Sequence, residues 1–223
     1  MSVIEITYFS DVLCVWAYVS QARVNATKDK FRDAIRIEHR FCSVFGDTDG
    51  KITSTWKHKG GYEGFNAHLR QVADRFPHIE VHPDIWLEVR PPSSASAHLF
   101  MKAVRQWDHE SVPTGRSTTS IFDQVMWSFR CAFFRDCRDI SSWDTQCEIA
   151  QAHGADIGAI EKRRADDQKS VQAWQPHPFL DQRERVASMI KSPLKRFLAR
   201  ARVPTRQQPR ERRHSPTWEC QSR

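Results

Sequence analysis

A strand–helix–strand pattern in the first forty or so residues constrains the fold more than any other feature of the sequence. Residues 3–9 (VIEITYF) are rich in β-branched and aromatic side chains and have the length of a buried strand. A short loop leads into a helical stretch over 14–31, and Ile35 and Ile37 alternate with charged residues to mark a second strand over 35–41. Such a βαβ unit predicts that the two strands are parallel neighbours.

The buried faces of these elements are predicted from side-chain spacing. On the helix, Ala17, Val24 and Phe31 recur every seven residues and predict the face that packs on the sheet. On the second strand, His39 is expected to point outward, as a surface residue rather than a catalytic base.

From residue 46 to about residue 165 the apolar spacing becomes helical. Apolar positions three and four residues apart mark three successive helices: Phe65, Leu69, Val72 and Phe76; then Leu99, Ala103 and Trp107; then Phe122, Met126, Phe129 and Phe133. A further helix is expected to close at Gly154. The pattern therefore predicts an α/β protein with an all-helical insertion. Two parallel strands and one helix cannot bury both faces of a sheet, so residues after 165 must complete it.

The net charge of +7 is concentrated at the C-terminal end of the sequence. Residues 194–223 contain eight arginines and three prolines and few β-branched residues, a composition that predicts a disordered basic tail. The rest of the chain is close to neutral, so no nucleic-acid partner is predicted for the core.

Other features indicate where the protein is found. No apolar run approaches the 18 or so residues that cross a bilayer, and no membrane partner is predicted. The N-terminus (MSVIEITYFSD) has no basic segment typical of a signal peptide, so a cytoplasmic location is expected. The six cysteines have neither CxxC nor zinc-finger spacing, so no metal site is predicted and the thiols are expected to be reduced.

Cys14 is the candidate catalytic residue because it lies between the end of a strand and the start of a helix. Backbone N–H groups and the positive end of the helix dipole favour a thiolate there, and the thiolate is the nucleophilic form of cysteine. Trp16 would shield one side of the sulfur and offer a flat surface to a substrate. The alternative is a buried structural cysteine beside a turn.

Three segments give the chain a family resemblance. YFSDVLCVWAY (8–18) resembles the active-site turn of the DsbA superfamily, with Cys-x-Trp after an Asp, and EHRFCSVFGDT (38–48) and AFFRDCRDIS (132–141) resemble that family too. The resemblance extends from residue 3 to about 165. It is greatest to the cytoplasmic branch of predicted dithiol–disulfide isomerases, near 2-hydroxychromene-2-carboxylate isomerases and kappa-class glutathione transferases. It implies a thioredoxin-like βαβ core with an all-helical insertion.

The resemblance also implies the organisation of the chain and a substrate site. Residues 1–45 would be the first part of the thioredoxin-like domain, 46–165 the insertion, 166–193 a return helix with a proline loop, and 194–223 the basic tail. Ser192 and Pro193 would form the proline loop opposite Cys14 and present the substrate. The strands that should follow are not recognisable, so the C-terminal strands of the sheet are expected to be missing.

The sequence departs from the family at the second active-site cysteine, where Ala17 stands. A mixed disulfide on Cys14 then has no resolving thiol within the motif, which predicts monothiol chemistry. No bound cofactor is expected, and glutathione is a candidate co-substrate. The isomerase and kappa-class relatives carry serine at the position of Cys14.

Two further residues are candidates for the site. Cys42 follows the second strand, at the same sheet edge as Cys14, and neighbouring strands lie within the span of a disulfide. It is therefore a candidate resolving thiol, although a small residue at a strand end explains it more simply. Asp11 either orients the active-site loop and tunes the Cys14 proton or is a turn-forming residue.

Three functions are compatible with these features of the sequence. The first is a thiol–disulfide oxidoreductase or isomerase with Cys14 as nucleophile, acting on a thiol or disulfide of a protein or of glutathione. The second is a glutathione-dependent isomerase or transferase on the same fold. The third is a non-catalytic thioredoxin-fold interaction protein. The substrate, the redox partner and the oligomeric state stay open, a homodimer being one of the assemblies considered.

Overall fold

The computed structural model of the chain describes residues 3–111 and 120–173. Besides two short 3₁₀ helices, these residues form two strands and seven α-helices: β1 (Ile4–Ser10), α1 (Val15–Phe31), β2 (Ile35–Phe41), α2 (Thr48–Thr55), α3 (Gly61–Ala73), α4 (Ala95–Ser111), α5 (Ile121–Phe134), α6 (Trp143–Ala152) and α7 (Ile157–Ala173). The second strand has the predicted bounds and the first is displaced by one residue. The predicted α/β class with two parallel N-terminal strands and a helical insertion is confirmed.

β1 and β2 pair in parallel, with Ile4 opposite Ile35 and Ser10 opposite Phe41. The carboxyl ends of both strands therefore lie side by side at one edge of the sheet. The loop after β1 leads into α1, and the loop after β2 leads into the helical insertion. Both loops begin at this edge of the sheet, and the candidate site lies there.

The buried face of α1 differs from the predicted one. The buried residues are concentrated in the first half of the helix: Val15, Ala17, Tyr18, Val19 and Gln21. Ala17 was predicted correctly, whereas Phe31 is 47% exposed. Tyr18 lies 5.0 Å from Phe134 and 5.2 Å from Trp127, between ring centroids, so α5 of the insertion covers the start of α1. The seven-residue spacing predicted burial along the whole length of α1, whereas only its first half is covered.

The prediction that His39 is a surface residue is wrong. Its side chain is 3% exposed and lies edge-on to Tyr8 of β1 and Phe122 of α5, at centroid distances of 5.4 and 5.3 Å. Its parity along β2 is that of Ile35 and Ile37, so strict alternation places all three on one face. α5 covers that face.

The core of the insertion is aromatic and lies next to the sheet edge. Trp86 is fully buried, and its ring lies 5.3 Å from Phe45, 5.7 Å from Phe65 and 4.9 Å from Phe133. Pairs of rings at these distances add packing energy beyond the area that they bury. Phe45 belongs to the loop after β2, so this cluster holds that loop in place.

The predictions for the C-terminal part, that is the proline loop, the missing strands and the basic tail, lie outside the described residues. The end of α3 was predicted too late: the helix ends at Ala73, and Phe76 packs against the core from the following turn. Within the described part of the chain, no helix is long and apolar enough to cross a membrane.

Gly64 in α3 gives a test of the local packing. A Cβ atom at this position would lie 1.7 Å from the carbonyl oxygen of Lys59. We expect Gly64→Ala to lower the free energy of unfolding by about 2 kcal/mol, because overpacking outweighs the gain of about 1 kcal/mol in helix propensity. Urea unfolding followed by circular dichroism measures the change.

The matched control is Gly158→Ala in α7. Its nearest new contact would be the carboxylate of Asp156 at 3.5 Å, an ordinary van der Waals distance. This variant should be neutral or more stable by up to about 1 kcal/mol. Equal effects of the two substitutions would contradict the close approach at Gly64.

Candidate active site at the start of helix α1

Cys14 is the N-cap residue of α1. Its φ and ψ of −88° and 117° are extended, and its carbonyl oxygen accepts the first helical hydrogen bonds, from Ala17 at 3.0 Å and Tyr18 at 3.2 Å. Its sulfur makes no capping hydrogen bond, and the first turn of the helix contains no acidic residue. The N–H groups of the first turn have no intrahelical acceptor and lie at the end of the helix that favours a nearby negative charge. The side chain is half-buried, and Cys14 is a free thiol.

Asp11 holds the loop that presents Cys14. Its carboxylate is 1% exposed and accepts hydrogen bonds from the Leu13 amide at 2.9 Å, the Phe45 amide at 2.9 Å and the Ser94 hydroxyl at 2.8 Å. These donors come from the active-site loop, from the loop after β2 and from the residue before α4. The Asp11 backbone carbonyl in turn accepts from the Cys14 amide at 3.1 Å. This geometry supports the loop-orienting role considered for Asp11.

The electrostatics keep Asp11 ionised. Burial by itself would raise the pKa of Asp11, but His98 and the amides of Phe45 and Leu13 together outweigh burial and hold that pKa below its usual value of 3.8. His98 Nε2 lies 3.5 Å from the carboxylate and also accepts from the Val12 amide at 3.3 Å. The same nitrogen cannot accept from the Val12 amide and donate to Asp11 at once. It donates to the Asp11 carboxylate only in a form of the ring in which Nε2 carries a proton.

Trp16 lies in the first turn of α1, on the surface. It is 48% exposed and packs edge-on against Phe76, with 6.1 Å between ring centroids. The guanidinium of Arg75 is 5.6 Å from the Trp16 ring, within range of a cation–π contact. The structure thus adds a cation to the predicted flat surface, and Arg75 was not singled out from the sequence.

Cys42 follows β2 at the sheet edge where α1 begins. Its amide donates to the Ser10 carbonyl at 3.1 Å, which continues the parallel ladder by one residue. Burial, then the charge of Asp11 and the thiolate form of Cys14, raise the pKa of Cys42. Both cysteines are free thiols.

Arg130 is a residue near the site that sequence reasoning missed. It lies on α5, is fully buried, and donates to the Ser10 hydroxyl at 3.2 Å and to the Gln21 side-chain carbonyl. Burial lowers the pKa of Arg130, whereas Tyr8, Cys14 and Asp11 act in the opposite direction. A lone arginine in the apolar run FRCAFF was the available signal, because a buried arginine needs partners.

Ser192 and Pro193, the predicted substrate-presenting loop, lie outside the described residues. Among residues 3–111 and 120–166, no group of three or more histidine, cysteine or acidic side chains could hold a metal ion. The structure therefore brings together four of the residues considered from the sequence, namely Asp11, Cys14, Trp16 and Cys42, at one end of the sheet.

The parallel β1–β2 pair, a helix that begins at a cysteine and the helical insertion together define a thioredoxin-like fold with the arrangement found in DsbA-like oxidoreductases. The chain is similar in structure to the cytosolic disulfide reductase DsbM from Pseudomonas aeruginosa, with a TM-score of 0.53 and 14% sequence identity over 76% of this chain and 74% of that chain.

Two further solved structures have the same fold. A candidate protein disulfide isomerase from Nitrosomonas europaea gives a TM-score of 0.52 at 10% identity, over 79% of this chain and 83% of that one. A candidate DsbA oxidoreductase from Streptomyces coelicolor gives 0.51 at 16% identity, over 77% and 76%. No protein-family model and no curated protein sequence matches the chain. At these identities the comparisons show the fold of DsbA-like oxidoreductases.

Proposed function

We propose that the protein is a thiol–disulfide oxidoreductase or isomerase that uses Cys14 as a monothiol nucleophile. The observation that carries this proposal is the position of Cys14 at the N-terminus of α1, in the loop that Asp11 holds. Its thiol is free and half-buried, and its sulfur makes no capping hydrogen bond. That position is the one where backbone amides stabilise a thiolate, and thiolates attack disulfides. A cytoplasmic location agrees with the lack of a disulfide among the five cysteines that the structure describes.

The absence of a second cysteine in the motif determines how the reaction would end. Ala17 is buried and cannot resolve a mixed disulfide on Cys14. Cys42 is the candidate resolving thiol inside the protein, but its raised pKa reduces the fraction of the reactive thiolate at neutral pH. An external thiol is therefore the favoured resolving group, and glutathione is the proposed co-substrate.

The surface around Trp16 favours a second candidate function on the same fold, a glutathione-dependent isomerase or transferase. Trp16 and Arg75 offer an exposed aromatic face with a cation above it. Glutathione is a small peptide with two carboxylates, and arginine pairs well with carboxylates.

The proline loop at Ser192 and Pro193 is proposed to present the substrate as an additional strand.

Alkylation with iodoacetamide at several pH values tests whether Cys14 is activated. We expect Cys14 to react at least about tenfold faster than Cys137 at pH 6.5, because a helix N-terminus favours the thiolate. Cys137 is a suitable internal reference, since it is also half-buried and its pKa is raised by burial, Glu88 and Asp84. Peptide mapping by mass spectrometry assigns each rate.

The control is Cys14→Ser, which should lose the fast reaction and leave the rate at Cys137 unchanged. Equal rates at the two cysteines of the unmodified protein would overturn the proposal. They would instead favour the non-catalytic thioredoxin-fold protein.

Incubation with glutathione disulfide distinguishes the two ways of resolving the intermediate. If an external thiol resolves it, intact mass spectrometry detects one glutathione on Cys14, and reduced glutathione removes it. If Cys42 resolves it, the adduct gives way to a protein that has lost two hydrogens, and Cys42→Ser traps the adduct. We expect the first result.

A further inference from the structure

Aromatic rings and cations alternate along the surface of α3, up to the first turn of α1. In one group, the ammonium of Lys59 lies 4.9 Å from the centroid of the Trp56 ring, and that ring lies 5.0 Å from the ring of His68. In the other group, the guanidinium of Arg75 lies 5.6 Å from the ring of Trp16. Lys59, Arg75 and Trp16 are exposed, and Trp56 and His68 are half-buried. We call these five residues the Trp16–Lys59 surface.

The two groups form one continuous strip. His68 lies on α3, and Arg75 lies seven residues later in the turn that follows, where its amide still donates to the Val72 carbonyl at 3.2 Å. Seven residues are two helical turns, so His68 and Arg75 lie on the same side of α3, about 10 Å apart along its axis. Because Arg75 contacts Trp16, the strip ends two residues from Cys14, at the end of α1 where the reaction is proposed.

The two cations of this surface have no anionic partner. Among the residues that the structure describes, no carboxylate lies within 4.0 Å of Lys59 or Arg75. Burial, then the charges of Lys59 and Arg75, lower the pKa of His68, so its imidazole is predominantly neutral at pH 7. The surface therefore presents two unpaired positive charges, a neutral imidazole between them and two indole rings.

This combination of side chains fits an acidic peptide. Carboxylates pair with lysine and arginine, and indole rings pack against the apolar parts of a bound chain. An extended tripeptide such as glutathione reaches about 10 Å and contacts one of the two groups at a time, whereas six extended residues reach about 20 Å and contact both. The length of the strip therefore favours a segment of a protein over glutathione alone.

Two other occupants fit the surface less well. Residues 194–223 carry eight arginines, so the charge of Lys59 and Arg75 repels this tail. A nucleic acid matches the charge but has no sulfur that Cys14 could attack. Charge complementarity and the position beside Cys14 together favour a protein substrate.

We propose that the Trp16–Lys59 surface binds an acidic segment of a protein substrate, next to the disulfide that Cys14 attacks. The inference rests on the proposed role of Cys14 as nucleophile. Acidic side chains of the segment pair with Lys59 and Arg75, and its apolar parts pack on the indole rings of Trp16 and Trp56. The thiolate of Cys14 then forms a bond to one sulfur of the substrate disulfide, the substrate sulfur–sulfur bond breaks, and the other sulfur leaves as a thiolate with the bonding electrons.

Two synthetic peptides of equal length test this preference on the full-length protein. One carries four glutamates before a C-terminal Gly-Cys, and the other carries four glutamines. In each peptide the cysteine forms a mixed disulfide with 2-thiopyridine, a neutral leaving group. Attack by Cys14 joins the peptide to the protein and releases 2-thiopyridone, whose absorbance gives the rate, and intact mass spectrometry confirms the adduct. The rate measured with Cys14→Ser is subtracted, which removes reaction at the other cysteines.

We expect the glutamate peptide to react about tenfold faster than the glutamine peptide at low ionic strength, because each exposed ion pair adds a small gain in affinity. This advantage should disappear at about 0.5 M NaCl, where exposed charges are screened. Lys59→Gln and Arg75→Gln each remove one cation and should each lower the ratio of the two rates about threefold. The double variant should bring the ratio close to one.

Lys30→Gln is the matched control. Lys30 is also exposed and lies over an aromatic ring, that of Phe31 at 5.4 Å, but at the other end of α1 from Cys14. Its substitution removes the same charge from the protein and should leave the ratio of the two rates unchanged.

The outcomes separate the inference from the proposed function. Equal rates for the two peptides in the unmodified protein overturn the inference and leave the proposed function standing, since both peptides still react at Cys14. An advantage of the glutamate peptide that survives loss of both Lys59 and Arg75 also overturns the inference. If neither peptide reacts faster with the unmodified protein than with Cys14→Ser, the proposed function itself fails.

A binding measurement tests the surface without the reaction. A fluorescein-labelled glutamate peptide that lacks cysteine is titrated with the protein, and its fluorescence anisotropy is recorded. We expect binding that weakens about threefold in Lys59→Gln and stays the same in Lys30→Gln. No binding, or binding that Lys59→Gln does not weaken, would contradict the inference. An oligothymidine that displaces the labelled peptide more effectively than the unlabelled peptide does would assign the surface to nucleic acid and overturn the proposal.

Discussion

Replacing Asp11 by alanine is expected to lower the free energy of unfolding by about 3–5 kcal/mol. The substitution removes a carboxylate that is 1% exposed and leaves two backbone amides and a hydroxyl without an acceptor inside the protein. A buried donor without a partner costs about 1–3 kcal/mol, and these costs are only partly additive. Small domains have about 5–15 kcal/mol in total, so the variant would retain little stability. Urea unfolding measures the change.

The loss should be local as well as global, because Asp11 joins three separate segments. Its donors are Leu13 beside the reactive cysteine, Phe45 after β2 and Ser94 before α4. Hydrogen exchange of the Leu13 and Phe45 amides should therefore accelerate more than exchange in α6, which Asp11 does not contact. Fluctuation of this loop would also displace Cys14 from its position at the N-terminus of α1.

Graded variants separate the role of the charge from that of one hydrogen bond. Asp11→Asn keeps one acceptor oxygen and should be less destabilising than alanine, whereas Ser94→Ala removes one donor and should cost about 1 kcal/mol. Asp29→Ala, on an exposed position of α1, serves as the control and should change stability by less than about 0.5 kcal/mol. A loss below about 1 kcal/mol for Asp11→Ala would contradict the role assigned to this carboxylate.

The parts of the fold that the sequence predicted well are those determined by local patterns. The bounds of β2 were predicted without error, and the helix was predicted to begin at Cys14, its N-cap residue. Both predictions depend on strand periodicity and on the change from period two to period 3.6, which neighbouring residues determine. Helices α3, α4 and α5 of the insertion were recognised for the same reason, whereas α2 was not predicted.

The predictions that failed depend on which elements cover which faces. Phe31 belongs to the regular apolar spacing of α1 but lies beyond the part of the helix that α5 covers. His39 was expected to alternate outward on β2, although its parity along the strand is that of Ile35 and Ile37. For Phe31 long-range packing decides burial, and spacing along the helix does not reveal it. For His39 strand parity indicates the face, and the packing of α5 on that face buries it.

For the site as well, the residues in the loops after the strands were predicted, and those from distant segments were not. Cys14, Asp11 and Cys42 lie in loops that follow strands, so parallel topology brings them to one sheet edge. Arg130 on α5 and Arg75 in the turn after α3 are more than fifty residues away in sequence, and only the packing of the insertion brings them to Ser10 and to Trp16. The surroundings of the active-site loop therefore depend on contacts that no local motif contains.

Lowering the pH from 7 to about 4 should destabilise the protein through His39, by about 3 kcal/mol. Burial, the largest effect, lowers the pKa of His39 from 6.5 to about 4; Asp123 opposes the change, and the cations Lys28, Arg130 and Arg105 reinforce it. In the unfolded chain the imidazole takes up a proton below about pH 6.5. The unfolded state therefore binds more protons between about pH 6.5 and 4, and each pKa unit corresponds to about 1.4 kcal/mol. Stability is greatest above this window and falls as the pH is lowered through it.

The arrangement of His39 explains why burial prevails over its carboxylate neighbour. Its Nε2 lies 3.7 Å from the Asp123 carboxylate, too far for a hydrogen bond, and both ring nitrogens lack hydrogen-bond partners among the described residues. Asp123 instead forms a close ion pair with Lys28, with 2.6 Å between nitrogen and oxygen. Lys28 thus largely compensates the negative charge of Asp123, and the effect of Asp123 on the imidazole is correspondingly small.

The variant His39→Phe isolates this contribution to the pH dependence. Phenylalanine fits between Tyr8 and Phe122 as a third aromatic ring and does not titrate, so the loss of stability between pH 7 and 4 should shrink by about 3 kcal/mol. His58→Gln, at an exposed position, should leave the pH dependence almost unchanged. Asp11 adds no competing loss in this window, because its pKa lies below 3.8 and its contribution disappears only at lower pH. Urea unfolding at half-unit pH steps measures the slopes, and parallel slopes for His39→Phe and the unmodified protein would exclude His39 as their source.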